Sequence, residues 1–199
     1  MSISEDVKNY VNSKIARINL GDPRSAAMLA ILRRGAGKTL TESPETWEAV
    51  LSDIPEHMLG RSSREGYRIS SSEDAIFTAL TLYAVHQQGN TKSMNQAGVS
   101  VGDGTKKLML AMKENEEGVK RRFKAVITSA EPSELNHHLR GLVQMMRSSE
   151  VCLDYGQLAK DLYIFSNPEW RADVRIRWGE DFYKHNDETD SEKDENKEL

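Results

Sequence analysis

From Ile3 to Trp178, apolar residues recur at the three- and four-residue spacing of a helix, while alternating strand-like runs are almost absent. Each run has its own start and stop signals, so the chain must pack helix on helix; the prediction is an all-α fold, an irregular bundle of about eight helices. Ile3, Val7, Tyr10, Val11, Ile15 and Ile18 mark the first helix, which Gly21-Asp22-Pro23 ends while capping a second that runs to Gly35. Ser43-Pro44 opens a short third helix with Trp47, Val50 and Leu51, and Pro55 interrupts it. A loop rich in Ser, Arg and Gly follows from Gly60 to Ser70.

Ser70 and Glu73 have the spacing of a capping box, and the helix they open carries Ile76, Phe77, Leu80, Tyr83 and Ala84 on one face, with Gly89 as its stop. Asn90 to Gly104 has glycines and no hydrophobic period, and is expected to be a surface loop long enough to carry function. Leu108 to Met112 and Val119, Phe123, Val126 and Ile127 predict one helix broken at Gly118, or two. Leu135, Leu139, Leu142 and Met146 give the next stripe, and Asp154 with Gln157 resembles another capping box ahead of Tyr155, Leu158, Leu162 and Phe165. Asn167-Pro168 starts the last helix, with Trp170, Val174 and Trp178, ending near Gly179.

Residues 1–183 are expected to form one helical domain, with two packed lobes left open, and 184–199 a disordered acidic tail. The net charge of −4 resides in that tail, which carries seven acidic and three basic residues; the body before it holds 24 of each sign. Partners must therefore be sought in local clusters rather than in the total charge. The opening Met1-Ser2-Ile3-Ser4-Glu5-Asp6 has no basic region leading into an apolar one, and no apolar run reaches the roughly 18 residues a membrane span needs. A soluble, cytoplasmic protein without membrane contact is expected.

Residue patterns for catalysis are weak. Gly35-Ala36-Gly37-Lys38-Thr39 is not a phosphate-binding P-loop, because Leu32 stands where its first glycine belongs and a helix leads in where a strand should. His137-His138 are adjacent and so point apart, and Cys152, the only cysteine, has no local activating pattern. No catalytic residue, metal or cofactor is expected. Cationic side chains do cluster: Lys120, Arg121, Arg122 and Lys124 around a helix whose buried face is Val119, Phe123 and Val126; Arg171, Arg175 and Arg177 on the last helix; Arg140 and Arg147 seven apart. Arginine's planar fork binds phosphate bidentately, so several such patches on a neutral body point to nucleic-acid backbone. The competing reading is a helical adaptor whose arginines meet acidic protein surfaces; a nuclease comes third, for want of clustered acids to hold metal.

Leu139-Arg140-Gly141-Leu142-Val143-Gln144-Met145-Met146-Arg147, Leu153-Asp154-Tyr155-Gly156-Gln157-Leu158, Val174-Arg175-Ile176-Arg177-Trp178-Gly179 and Asp181-Phe182-Tyr183 resemble the CasB family, the small subunit of the type I-E CRISPR surveillance complex Cascade. Leu29 to Gly35 and His86-Gln87-Gln88-Gly89 agree with it. The resemblance implies a non-catalytic helical subunit, present with a second copy of itself beside other Cascade subunits. It would bind the backbone of crRNA and of the target and non-target DNA strands, in antiviral defence. Matched to the family, Arg33 and Arg34, Arg121 and Arg122, and Arg140 are the expected contacts. Charge clustering and the C-terminal match add Lys38, Lys124, Arg171, Arg175 and Arg177.

Overall fold

The computed structural model describes residues 2–64 and 66–184. Among them are nine α-helices: α1 (Ile3–Ala16), α2 (Pro23–Gly35), α3 (Trp47–Leu51), α4 (Ser71–Gln87), α5 (Val101–Ala111), α6 (Glu116–Thr128), α7 (Pro132–Ser148), α8 (Tyr155–Phe165) and α9 (Arg171–Tyr183). The fold is all-α, as the periodicity predicts. The acidic tail lies outside the described residues except for Lys184, whose carbonyl accepts from Lys106 Nζ.

Caps set several helix starts. Asp22 accepts from the Ser25 amide at 3.0 Å with Pro23 in the first turn, and Asp154 accepts from the Gln157 amide at 2.8 Å. At α4 the capping box closes in both directions, Ser70 Oγ accepting from the Glu73 amide and Glu73 Oε2 from the Ser70 amide. Gly89 follows α4 at φ +82°, a left-handed stop that suits glycine.

Helix α4 is the axis of the bundle. Helices α1, α2, α7 and α8 pack around it, and every α4 residue except Ser71 and Asp74 is buried. The sequence predicts a single apolar face there; burial on all sides is possible because its polar residues find partners. Thr81 donates to the Thr78 carbonyl, Gln87 donates to the carbonyls of Asn90 and Lys92, and His86 Nδ1 lies 2.9 Å from the Tyr155 hydroxyl. At about 1.5–3 kcal/mol for each large apolar side chain buried, Ile76, Phe77, Leu80 and Tyr83 make α4 a principal source of stability. Buried residues from α1 through α9 join in one hydrophobic cluster.

Four local expectations are corrected. The segment after Gly89 is not a surface loop to Gly104: Met94 and Val99 are buried, and the chain from Met94 to Val99 exchanges backbone hydrogen bonds with Leu153 and Asp154. A Ser100–Asp103 capping box then starts α5 at Val101, so Gly102 and Gly104 are helical. They are small because neighbours come close: a Cβ would stand 2.2 Å from the Trp178 carbonyl oxygen at Gly102 and 2.5 Å from Leu153 Cδ2 at Gly104. The break between α5 and α6 falls at Met112–Asn115, with Gly118 inside α6 beneath the Asn115 side chain. Helix α9 continues through Gly179 to bury Phe182, while Trp170 sits half-exposed in the 3-10 turn before it. Finally, the Ser, Arg and Gly-rich loop contains a two-stranded antiparallel hairpin, β1 (Arg61–Ser63) and β2 (Gly66–Arg68).

Candidate nucleic-acid interface

The turn leaving α2 packs against α4 and meets the Arg140 side chain of α7. Gly35 allows the close approach to α4, since its Cβ would lie 3.2 Å from the Phe77 ring, and Gly37 then reverses the chain at φ +86°. Gly37 also makes room for a cation: a Cβ there would stand 2.5 Å from Arg140 Nη1. Lys38 follows, its backbone fixed by a 3.0 Å bond to the Gly35 carbonyl and its ammonium only 3.9 Å from Glu45. Lys38 and Arg140 therefore line one cleft of about 540 Å³, whose other walls include Asp74, Thr78 and Asn136. Asp74 is half-buried, and desolvation raises its pKa. Arg33 and Arg34 lie in the last turn of α2, where a cation also favours the helix dipole.

On the other flank, α6 buries Val119, Phe123 and Val126 and turns Arg121, Arg122 and Lys124 to solvent. Arg122 reaches across to α7, with Nη1 2.9 Å from where a Cβ on Gly141 would be. The adjacent residues Arg140 and Gly141 thus bring three predicted cations, Lys38, Arg140 and Arg122, to the surface of one helix. Arg33, Arg34, Arg121, Arg122, Lys124 and Arg140 form no ion pair with any described residue. Lys120 differs, being paired with Glu117 at 2.8 Å, and Arg147 donates to Gln88 Oε1 at 2.9 Å.

The three arginines of α9 have a different environment. Arg171 is only 14% exposed: it meets Glu131 through two parallel bonds of 3.0 and 3.1 Å and donates to the carbonyls of Ala130 and Phe165. Arg175 donates to the Ser129 carbonyl, and both guanidinium groups lie over the Phe165 ring. Together they satisfy the carbonyls just beyond α6. Arg177 donates at 2.6 Å to Asp161, a buried carboxylate that also accepts from Trp178 Nε1 and Gln157 Nε2. Burial pushes the Asp161 pKa up, and the Arg177 charge opposes that rise. The i, i+4 spacing correctly places Arg171 and Arg175 on one side of α9, but that side faces the end of α6.

Sequence clustering misses Arg61, Arg64 and Arg68 of the hairpin, although three arginines within eight residues were a signal. Among the described residues no group of His, Cys, Asp and Glu could hold a metal ion, and no helix is long and apolar enough to cross a membrane.

The family model for CRISPR-associated protein Cse2 matches residues 28–183. The structure is similar to that of CasB from Thermobifida fusca, with 34% sequence identity and a TM-score of 0.72, covering 89% of this chain and 98% of that one. It shares its fold with CasB from Thermus thermophilus, at 20% identity and a TM-score of 0.63 over 92% of this chain and 99% of that one. Another solved structure, of a CRISPR-associated Cse2-family protein from Thermus thermophilus, gives 20% identity and a TM-score of 0.62, again over 92% and 99% of the two chains. No curated protein matches the sequence significantly. The family match covers most of the chain, including α7 and α9 where the sequence resemblance is densest, and the chain belongs to the CRISPR-associated Cse2, or CasB, family.

Proposed function

We propose that this protein is the small, non-catalytic subunit of a type I-E Cascade complex in the cytoplasm, where it holds nucleic-acid backbone without reading sequence. Its partners are the other Cascade subunits, a second copy of itself, the crRNA, and the target and non-target DNA strands. The observation that carries this reading is the set of cations without internal ion pairs, Arg33, Arg34, Arg121, Arg122, Lys124 and Arg140, with Arg122 and Arg140 against the glycines of α7 and the α2 turn, and with Lys38, 3.9 Å from Glu45, lining the same cleft as Arg140. Arg171, Arg175 and Arg177 we assign to bracing α9 against α6 and α8, since their guanidinium groups already have partners.

The energetics suit such a role. Opening a DNA duplex to form an RNA–DNA hybrid is nearly balanced, so a few kcal/mol of backbone contact decides how far the exchange proceeds. Exposed arginines supply that through counterion release, which is independent of sequence and steeply dependent on salt.

Affinity purification of the tagged protein from its host tests the reading. The expected result is recovery of a multi-subunit complex with a small guide RNA, from which nuclease treatment removes part of the assembly. Recovery of protein partners alone, unaffected by nuclease, would replace this reading with that of an adaptor for acidic protein surfaces.

A further inference from the structure

We propose that the β1–β2 hairpin is a second, preformed contact for the sugar-phosphate backbone of a nucleic-acid strand, with Arg61, Arg64 and Arg68 as its cations. The inference rests on the function proposed above and adds a surface that lies outside the α2–α6–α7 face.

The hairpin is short enough to need a reason to exist. Two strands of three residues are marginal in water on their own, and all six residues are exposed. Its base is held by one side chain. Glu73, fully buried at the start of α4, accepts from the amides of Gly60 at 2.9 Å and Ser70 at 2.7 Å and from the Tyr67 hydroxyl at 2.6 Å. Ser70 Oγ adds a bond to the Met58 carbonyl. The base is closed tightly, since a Cβ on Gly60 would stand 2.0 Å from the Arg68 carbonyl oxygen. The ribbon is thus positioned before any ligand arrives.

Its register then decides where the charge goes. Arg61 pairs with Arg68 and Ser62 with Tyr67. Strand side chains alternate between faces, so the face that sends Tyr67 to Glu73 is the body side, and Arg61 and Arg68 share the opposite, outward face. Arg64 stands in the turn between the strands. Like charges directly opposite one another across a strand pair are destabilising. No described residue offsets this: Arg61, Arg64 and Arg68 form no ion pair among the described residues. An anion from outside removes the repulsion, and guanidinium forks on one face suit phosphate oxygens.

Tyr67 narrows the partner further. Tyr67 is 53% exposed although its hydroxyl is held, so an aromatic edge remains open on the body side of the ribbon, opposite the face of Arg61 and Arg68, where a base of a strand wrapping the ribbon could stack. Helix α4 links the hairpin to the cleft of Lys38 and Arg140. Helix α4 carries the Glu73 anchor and, about 12 Å further along at the helical rise per residue, the cleft residue Thr81, so one strand can lie across both.

The test is binding by the full-length protein of one labelled single strand made as RNA and as DNA, and of the RNA–DNA hybrid, titrated with salt. Wild type is compared with R61A/R64A/R68A and with R122A/R140A. The expected result is at least tenfold weaker binding by the hairpin variant at low salt, a salt slope shallower by about 2, and an unchanged melting temperature. A loss confined to RNA, or to DNA, assigns the strand the hairpin holds; an equal loss on both assigns it to backbone of either kind. If the triple variant melts lower, R64E in the turn leaves both strands intact and carries the same expectation in smaller measure. Wild-type affinity and slope in the hairpin variants, with binding weakened in R122A/R140A, overturns this inference and leaves the proposed function standing. No binding by the wild-type protein overturns both. Binding of polyglutamate by wild type but not by the triple variant, with RNA and DNA bound equally by both, overturns it in favour of an acidic protein partner.

Discussion

Replacing Arg171 with alanine removes four hydrogen bonds: two to Glu131, one to the Ala130 carbonyl and one to the Phe165 carbonyl. It also removes a guanidinium lying 5.4 Å from the centre of the Phe165 ring. The Glu131 carboxylate is 65% exposed and is rehydrated when its partner goes, so the ion pair itself contributes at most about 1 kcal/mol. The carbonyls beyond α6 lose a charged donor, which costs about 1.5–3 kcal/mol where water replaces it poorly. Lost ring contact adds about 0.5–1 kcal/mol. The sum is about 2–5 kcal/mol, or a melting temperature lower by about 4–20 °C for a domain of this size. R121A/R122A, two exposed arginines without internal partners, is expected to melt within about 3 °C of wild type. Thermal denaturation followed by circular dichroism, with nucleic-acid affinity measured on the same samples below the transition, separates the two roles. An R171A protein that melts like wild type but binds nucleic acid less tightly would refute the division into bracing and contacting arginines.

Three further outcomes follow from the packing and charge. His86 is buried against Tyr155, and desolvation, with a smaller push from Arg147, lowers its pKa from 6.5 to about 4. The unfolded chain therefore takes up a proton between pH 6.5 and pH 4 that the folded one refuses, so stability is unaffected above that window and falls by about 3 kcal/mol at its lower end; urea unfolding at pH 7 and pH 4 should show a fall that H86Q lacks. Gly102→Ala places a methyl group 2.2 Å from the Trp178 carbonyl oxygen and should cost about 1–3 kcal/mol in the same unfolding assay, whereas Gly179→Ala, with nothing within 4 Å, should not destabilise. Removing residues 185–199, which carry seven acidic and two basic side chains, should leave the melting temperature unchanged and bind nucleic acid at least as tightly at low salt; weaker binding would show that this segment supplies contacts.

Features carried by neighbouring residues were legible in the sequence. Asp22 and Ser70 cap the helices their spacing predicts, and the stripe Leu135, Leu139, Leu142 and Met146 is buried along α7. Features that depend on distant residues were not. A glycine reads the same whether it turns the chain, as Gly37 and Gly89 do, or lets a backbone approach, as Gly102 does beneath Trp178. Arg122 and Arg171 likewise look equivalent in sequence. What separates them is Glu131, 40 positions from Arg171, and Gly141, which gives Arg122 an open surface to cross. The hairpin reads as a loop because three-residue strands are too short to display an alternation, and its anchor, Glu73, already fits a capping box.

The central claim is that cations on the α7 surface stabilise an opened DNA duplex paired to guide RNA. The most direct measurement is target-strand opening by a complex reconstituted with wild-type protein or with R122A/R140A, read by permanganate footprinting across a range of salt. The account predicts that the variant assembles and melts like wild type, opens less of the target, and loses more of that opening as salt rises. Equal opening with the variant at every salt concentration, in a fully assembled complex, would contradict it.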